Sequence, residues 1–183
     1  MKKRILLSQL IALAVIILSK PDSWTFFAAG LSVMAFGQLI RVLASSAIVK
    51  SRTLTVTGPY AVVRNPLYLG TAFMVLGLLI ALSSPQAPLC TGVVWLITIV
   101  SFTLIYRIQI KAEEAFLLSV YGPEFELYKS RVNAIIPHPA DLAGFLDMNA
   151  YSRATFLKNK EWRGFSGMAA VAVIVAVRIK YGF

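Results

Sequence analysis

The chain has 183 residues, of which 58% are hydrophobic and only 14% charged, with a mean hydropathy of +0.74 and a net charge of +10. These values exclude a soluble globular domain, and a single cysteine, Cys90, excludes an internal disulfide. The basic excess is not a nucleic-acid footprint: it falls in alternate connections between apolar runs, the positive-inside pattern of a multi-pass membrane protein.

In chain order, the predicted spans are 5–19, 24–49, 67–82 and 87–106, against about 20 residues for a lipid-spanning helix. The first follows Met1-Lys2-Lys3-Arg4 as a signal peptide would, but no small-residue cleavage pattern comes after it, so it is expected to be retained. Pro21-Asp22-Ser23 and Ser83-Ser84-Pro85-Gln86 read as outer hairpins. The basic connections, Lys50 to Arg64 and Arg107 to Arg163, are then expected on the cytoplasmic side. Asn65-Pro66 reads as an N-cap followed by proline at the first helical position. A helix starting there presents open N–H groups beside Arg64, a seat for an anion.

Residues 110–120 read as a separate amphipathic helix, stopped by Tyr121-Gly122-Pro123, and 124–132 as a second short helix. Residues 141–163 mix aromatic, aliphatic and basic side chains, which suits an interfacial segment. Residues 165–177 are apolar but short, either a thin fifth span or a helix lying in the interface. The expected fold is an all-α integral membrane protein with four to five transmembrane helices, cytoplasmic cofactor-binding loops and short amphipathic helices. Residues 1–140 would form its core, and 141–183 an interfacial segment with a C-terminal apolar helix.

Few residues in this chain can carry chemistry. At 100° per residue, Glu113 shares a helix face with Phe116, Leu117 and Val120, and is expected to point inward and to need a cationic partner, either Arg41, Arg64 or a ligand. Glu114 falls beside Arg107 and Lys111 and is expected to be a solvated surface pair. Arg41, inside the second apolar run, is a functional candidate by its location, with snorkelling to the headgroups as the ordinary alternative. Tyr68, Tyr121 and Tyr128 fit interfacial belt positions. His138 stands alone, so no metal site is expected. The sequence has no Walker loop, no GxGxxG and no nucleophile elbow.

The run Gly58-Pro59-Tyr60, Arg64-Asn65-Pro66-Leu67-Tyr68-Leu69-Gly70 resembles the G-P-Y-x-x-x-R-H-P-x-Y-x-G signature of integral-membrane methyltransferases. That group includes isoprenylcysteine carboxyl methyltransferases and phospholipid N-methyltransferases. Glu113-Glu114, Tyr121-Gly122, Phe125, Tyr128 and Ile135-Ile136-Pro137 resemble its second motif, and Arg41 with Ala44 its L-R-x-x-A. Asn65 stands where the family has histidine, Phe125 where it has tyrosine, and Asn133-Ala134 where it has Pro-Arg.

The resemblance implies S-adenosylmethionine as methyl donor and a lipophilic acceptor, most simply an isoprenylcysteine carboxylate, with aminolipid N-methylation or a non-catalytic scaffold as alternatives. It implies catalytic roles for Arg41, Arg64 and Glu113. It places Tyr60, Arg64, Asn65, Pro66, Tyr68, Gly70, Glu113, Glu114 and Tyr128 around the cofactor. The expected partners are the acceptor and membrane lipids, without nucleic acid or metal.

Overall fold

The structure, a computed structural model, describes residues 11, 13–49 and 53–182. The first basic cluster, residues 5–10 and 12 of the predicted first span, and residues 50–52 lie outside the described residues. Every regular element among those described is helical: α1 (Trp24–Ala47), α2 (Pro59–Val62), α3 (Pro66–Ala81), α4 (Pro88–Tyr121), α5 (Pro123–Arg131), α6 (Arg153–Asn159) and α7 (Trp162–Tyr181). Two 3₁₀ stretches, Pro139–Leu146 and Met148–Ala150, precede α6. Residues 13–18 are also helical. Helices are the expected answer in lipid, because each satisfies its own backbone groups.

α1, α4 and α7 are long and apolar enough to cross a bilayer, whereas α3 has 16 residues. The antiparallel pair α1 and α3 forms the tightest seam. A Cβ on Gly30 would lie 2.4 Å from the Gly77 carbonyl oxygen, and one on Gly37 would lie 2.5 Å from that of Gly70. Each helix thus carries two glycines seven residues apart, and the backbones meet where side chains are missing, the usual way helices associate where lipid offers no hydrophobic drive.

Two predicted boundaries are corrected. α4 is one helix of 34 residues, not a span to 106 followed by a separate amphipathic helix. Nothing between Tyr106 and Ile110 breaks helical geometry, and change of polarity alone does not end a helix. At about 1.5 Å per residue it is roughly 51 Å long, so it outruns a hydrocarbon core of about 30 Å and carries its charged end beyond it. The C-terminal apolar helix is longer than the run 165–177, because Trp162 to Gly164 and Arg178 to Tyr181 continue it to 20 residues. Its ends are fixed on opposite ends of α1. Glu161 pairs with Arg41, and Arg178 donates to the carbonyls of Ile16 and Ser19 just before the hairpin that leads into α1.

The connection from α5 to α7 straps the end of α1. Gly144 packs on Val62 and the Gly58 carbonyl, Ser152 N–H donates to the Ser46 carbonyl, and the Asn159 amide closes two orphan carbonyls, Ser45 at 2.8 Å and Ile48 at 3.1 Å. Ala150 and Tyr151 complete a small core with Ala44, Ala47 and Tyr60.

Candidate active site

Gly58, at φ +59, turns the chain into α2, and that short helix places Tyr60 under the strap. Its neighbour Val63 is extended and delivers Arg64 and Asn65 to the segment after α5. There Arg64 N–H donates to the Asn133 carbonyl at 2.8 Å and Asn65 N–H to that of Ala134 at 3.0 Å. The Asn65 side chain also donates to the Ala134 carbonyl, at 3.1 Å. Asn65 is therefore not the expected side-chain cap; α3 begins at Pro66 with no side-chain cap at all.

Arg64 is anchored on every side. Nε and Nη2 donate to Glu114 Oε1 at 3.1 and 2.6 Å, and Nη1 donates to the carbonyls of Lys129 and Val132. Lys129 adds a contact to Glu114 Oε2 at 3.1 Å. The acidic pair thus has the opposite arrangement to the one expected. Glu114 is the enclosed, ion-paired carboxylate, tying α4 to α5 and to the Arg64 loop, while Arg107 and Lys111 are not its partners. Glu113 is the more exposed of the two and has no cationic partner from Arg41 or Arg64. Its Oε1 accepts from the Tyr68 hydroxyl at 2.5 Å and the Gln109 amide at 3.0 Å. The helical phase was read against α4's own apolar stripe. The deciding contacts come instead from α5 and the α2–α3 loop, which lie across from the polar side.

These elements enclose a cavity of about 370 Å³, within the usual range for small-molecule sites. Tyr60, Arg64, Asn65, Pro66, Tyr68, Glu113 and Tyr128 all line it, together with Ile48 and Leu54 on one side and Phe116, Leu117 and Tyr121 on the other. Glu114 sits behind Arg64, outside the lining. Gly70 is also outside, held in the α1 seam against Gly37 and Arg41. Arg41 is outside too, bonded to Glu161 and Thr71.

One lining group is conspicuous by its lack of a partner. The Tyr60 hydroxyl is buried and makes no hydrogen bond, although Tyr128 donates to the Tyr60 carbonyl at 2.6 Å. Burial, reinforced by Tyr128, Glu113 and Glu161 and opposed by Arg41, pushes its ionisation far above the usual phenol range, so it stays a neutral donor. The cavity wall therefore holds the start of α3 with an open N–H at Leu67, a tyrosine whose buried hydroxyl has no partner, and a carboxylate held in place by two donors. Such a set fits a ligand with both an anionic and a cationic group.

The profile of the phospholipid methyltransferase family matches residues 24–124, which include α1, the Arg64 loop, α3 and α4. The chain belongs to that family. It is 32% identical over 122 residues to the protein-S-isoprenylcysteine O-methyltransferase of Rattus norvegicus, covering 60% of this chain and 40% of that protein. It is 34% identical over 108 residues to the cobalt-zinc-cadmium resistance protein CzcN of Cupriavidus metallidurans, covering 59% of this chain and 46% of that one. The chain thus spans less than half the length of these curated relatives. No solved structure matches. Among the described residues no three His, Cys, Asp or Glu side chains are grouped to hold a metal ion.

The site also uses residues that the motifs did not reveal. Lys129 and the carbonyls of Val132, Asn133 and Ala134 hold the Arg64 loop, and Glu161 holds Arg41. Backbone acceptors carry no side-chain signature, and Glu161 lies 120 residues from Arg41, so no spacing rule could have paired them.

Proposed function

We propose that the chain is an S-adenosylmethionine-dependent methyltransferase that acts on a lipophilic acceptor at the membrane, by carboxyl O-methylation of an isoprenylcysteine-like group. The observation that carries this reading is the convergence, in the walls of one cavity, of the start of α3, of Tyr60 with its buried, unpartnered hydroxyl, and of Glu113. The family and the isoprenylcysteine-directed relative favour methyl transfer and a greasy acceptor.

The residues fit the cofactor. Its carboxylate suits the Leu67 N–H, the first-turn donor of α3 that stays open because Pro66 has no N–H and those of Tyr68 and Leu69 donate to the Asn65 carbonyl, together with the Tyr60 hydroxyl. Its ammonium or sulfonium suits Glu113, whose bonds from Tyr68 and Gln109 both fall on Oε1 and leave Oε2 available. The aromatic and aliphatic rim of Phe116, Leu117 and Tyr121 suits the remainder. Arg64, already bonded to Glu114 and two carbonyls, is assigned the role of holding the loop rather than the ligand. Glu114 shares that role.

When bound, the cofactor would supply an electrophilic methyl on a cationic sulfur, for transfer to the acceptor oxygen with the S–C electron pair leaving on sulfur. No proton moves when the acceptor is a carboxylate. This chain's part is then orientation and exclusion of water, which suits a site without a strong base. An amine acceptor would have to lose a proton, and Asn65 is no base, so N-methylation of an aminolipid is the second reading. The Lys and Arg asymmetry between connections supports a cytoplasmic position for the cavity end.

Membranes containing the protein, incubated with donor labelled in the methyl group and with lipid acceptors, separate the readings. Label released as methanol by alkali supports the carboxyl ester. Label that resists alkali and runs with an aminolipid favours N-methylation.

A further inference from the structure

Arg41 is a guanidinium within a helix long and apolar enough to span the membrane, and a partly enclosed cation there is stabilised by an anion. Its donor fork is aimed by α3. Nη1 donates to Thr71 Oγ1 at 2.5 Å and to the Leu67 carbonyl at 3.4 Å, and Thr71 itself donates to the Leu67 carbonyl at 2.8 Å. The anion comes from outside the family-matched residues. Glu161 accepts both of its bonds from Nη2, at 2.7 and 3.0 Å. It lies on the short connection between α6 and α7, next to Lys160, the one non-glycine residue at positive φ among those described. Its carboxylate is thus on a turn and outside any helix body.

This ion pair stands directly behind the cavity. Leu67 gives its carbonyl to Arg41 and also lines the cavity, and Tyr60, which lines it too, feels both Arg41 and Glu161. A carboxylate already occupies a cationic fork that is anchored on Leu67, a residue of the cavity wall.

We propose that Arg41, held in place by Thr71, forms the receptor for the acceptor's carboxylate, and that Glu161 is a resident surrogate that fills it until a lipophilic carboxylic acid takes its place. One carboxylate exchanges for another, so the partly buried cation is never left bare. The C-terminal segment thereby acts as a built-in competitor that favours acids over neutral lipids. The identity of the acceptor class rests on the methyltransferase reading; the exchange at Arg41 does not require turnover.

The test is therefore run without methyl donor. Binding of S-farnesyl-3-thiopropionate and of its methyl ester to the purified full chain in lipid nanodiscs is measured by calorimetry. Glu161→Gln should bind the acid about tenfold tighter than the unaltered protein or better, and the ester no differently, because loss of the charged competitor frees a charge-assisted site. The double variant Arg41→Gln/Glu161→Gln should lose the gain. If Glu161→Gln does not fold, Glu161→Asp, one methylene shorter, should shift acid affinity in the same direction by a smaller factor. Acid affinity unchanged or lowered in the folded variant, or raised equally for the ester, would overturn the proposal and mark the pair as a structural tie. Neither result depends on whether methyl transfer is observed.

Discussion

Arg64 and Glu114 are joined by two bonds to a single oxygen, Glu114 Oε1, and this pair fastens the loop before α3 to the far end of α4. The neighbouring carboxylate, Glu113, is left to face the cavity with Tyr68 and Gln109. Two adjacent glutamates on one helix thus differ in place, one holding the wall and one lining the cavity.

The two should separate by mutation. Glu114→Gln removes the anion from a partly enclosed arginine and lysine, and should lower thermal stability by about 1.5–3 kcal/mol. Glu113→Gln should leave the melting temperature nearly unchanged and weaken cofactor binding about 10- to 100-fold. Thermal unfolding and calorimetry on the same preparations check both. A stability loss at Glu113 equal to that at Glu114 would contradict the assignment.

Tyr60→Phe should separate stability from binding in another way. The hydroxyl is buried and unpartnered, a condition that costs about 1–3 kcal/mol, so removing it should leave the protein as stable or more so. Cofactor affinity should nevertheless fall. Reduced stability with unchanged affinity would show that the hydroxyl has a structural partner.

Alkaline stability follows from the same region. Burial raises the ionisation of Tyr60 and Tyr128 above the unperturbed value of 10.0, whereas the unfolded chain keeps that value. Above it the unfolded state loses protons that the folded state keeps, so the stabilisation is complete below about pH 10 and fades above it. Unfolding midpoints measured between about pH 8 and 11 should fall past pH 10, and fall less steeply in Tyr60→Phe. A midpoint that held steady across the whole range would contradict the burial of these hydroxyls.

The helix seam predicts a sharp positional contrast. Gly77→Val would drive a side chain into the Gly30 carbonyl, so no folded protein should be recovered from membranes in mild detergent. Gly92→Val, at a position with no neighbour within 4 Å, should be tolerated. Size-exclusion profiles of the two variants decide this.

Much of the fold was legible because its signals are local. Pro66, Gly122 and the apolar runs mark helix ends and lengths through backbone chemistry that acts within one turn, and the two motifs carried the family. The site was legible as a set of residues but not as a set of partners. Arg64 with Glu114, Asn65 with Ala134 and Arg41 with Glu161 are 50, 69 and 120 residues apart. Helical phase alone misassigned Glu113 and Glu114, because it knows the apolar stripe of α4 and nothing of α5 packed near it. Gly70 looked like part of a cofactor motif, yet its missing side chain serves the crossing with Gly37.

The central claim is that the cavity beside α3 holds S-adenosylmethionine. Calorimetric titration of the purified protein with S-adenosylmethionine, repeated on Glu113→Gln, tests it most directly. The account predicts saturable one-to-one binding to the unaltered protein and a marked loss in the variant. No heat of binding in a protein shown to be folded, or equal binding by both, would contradict it.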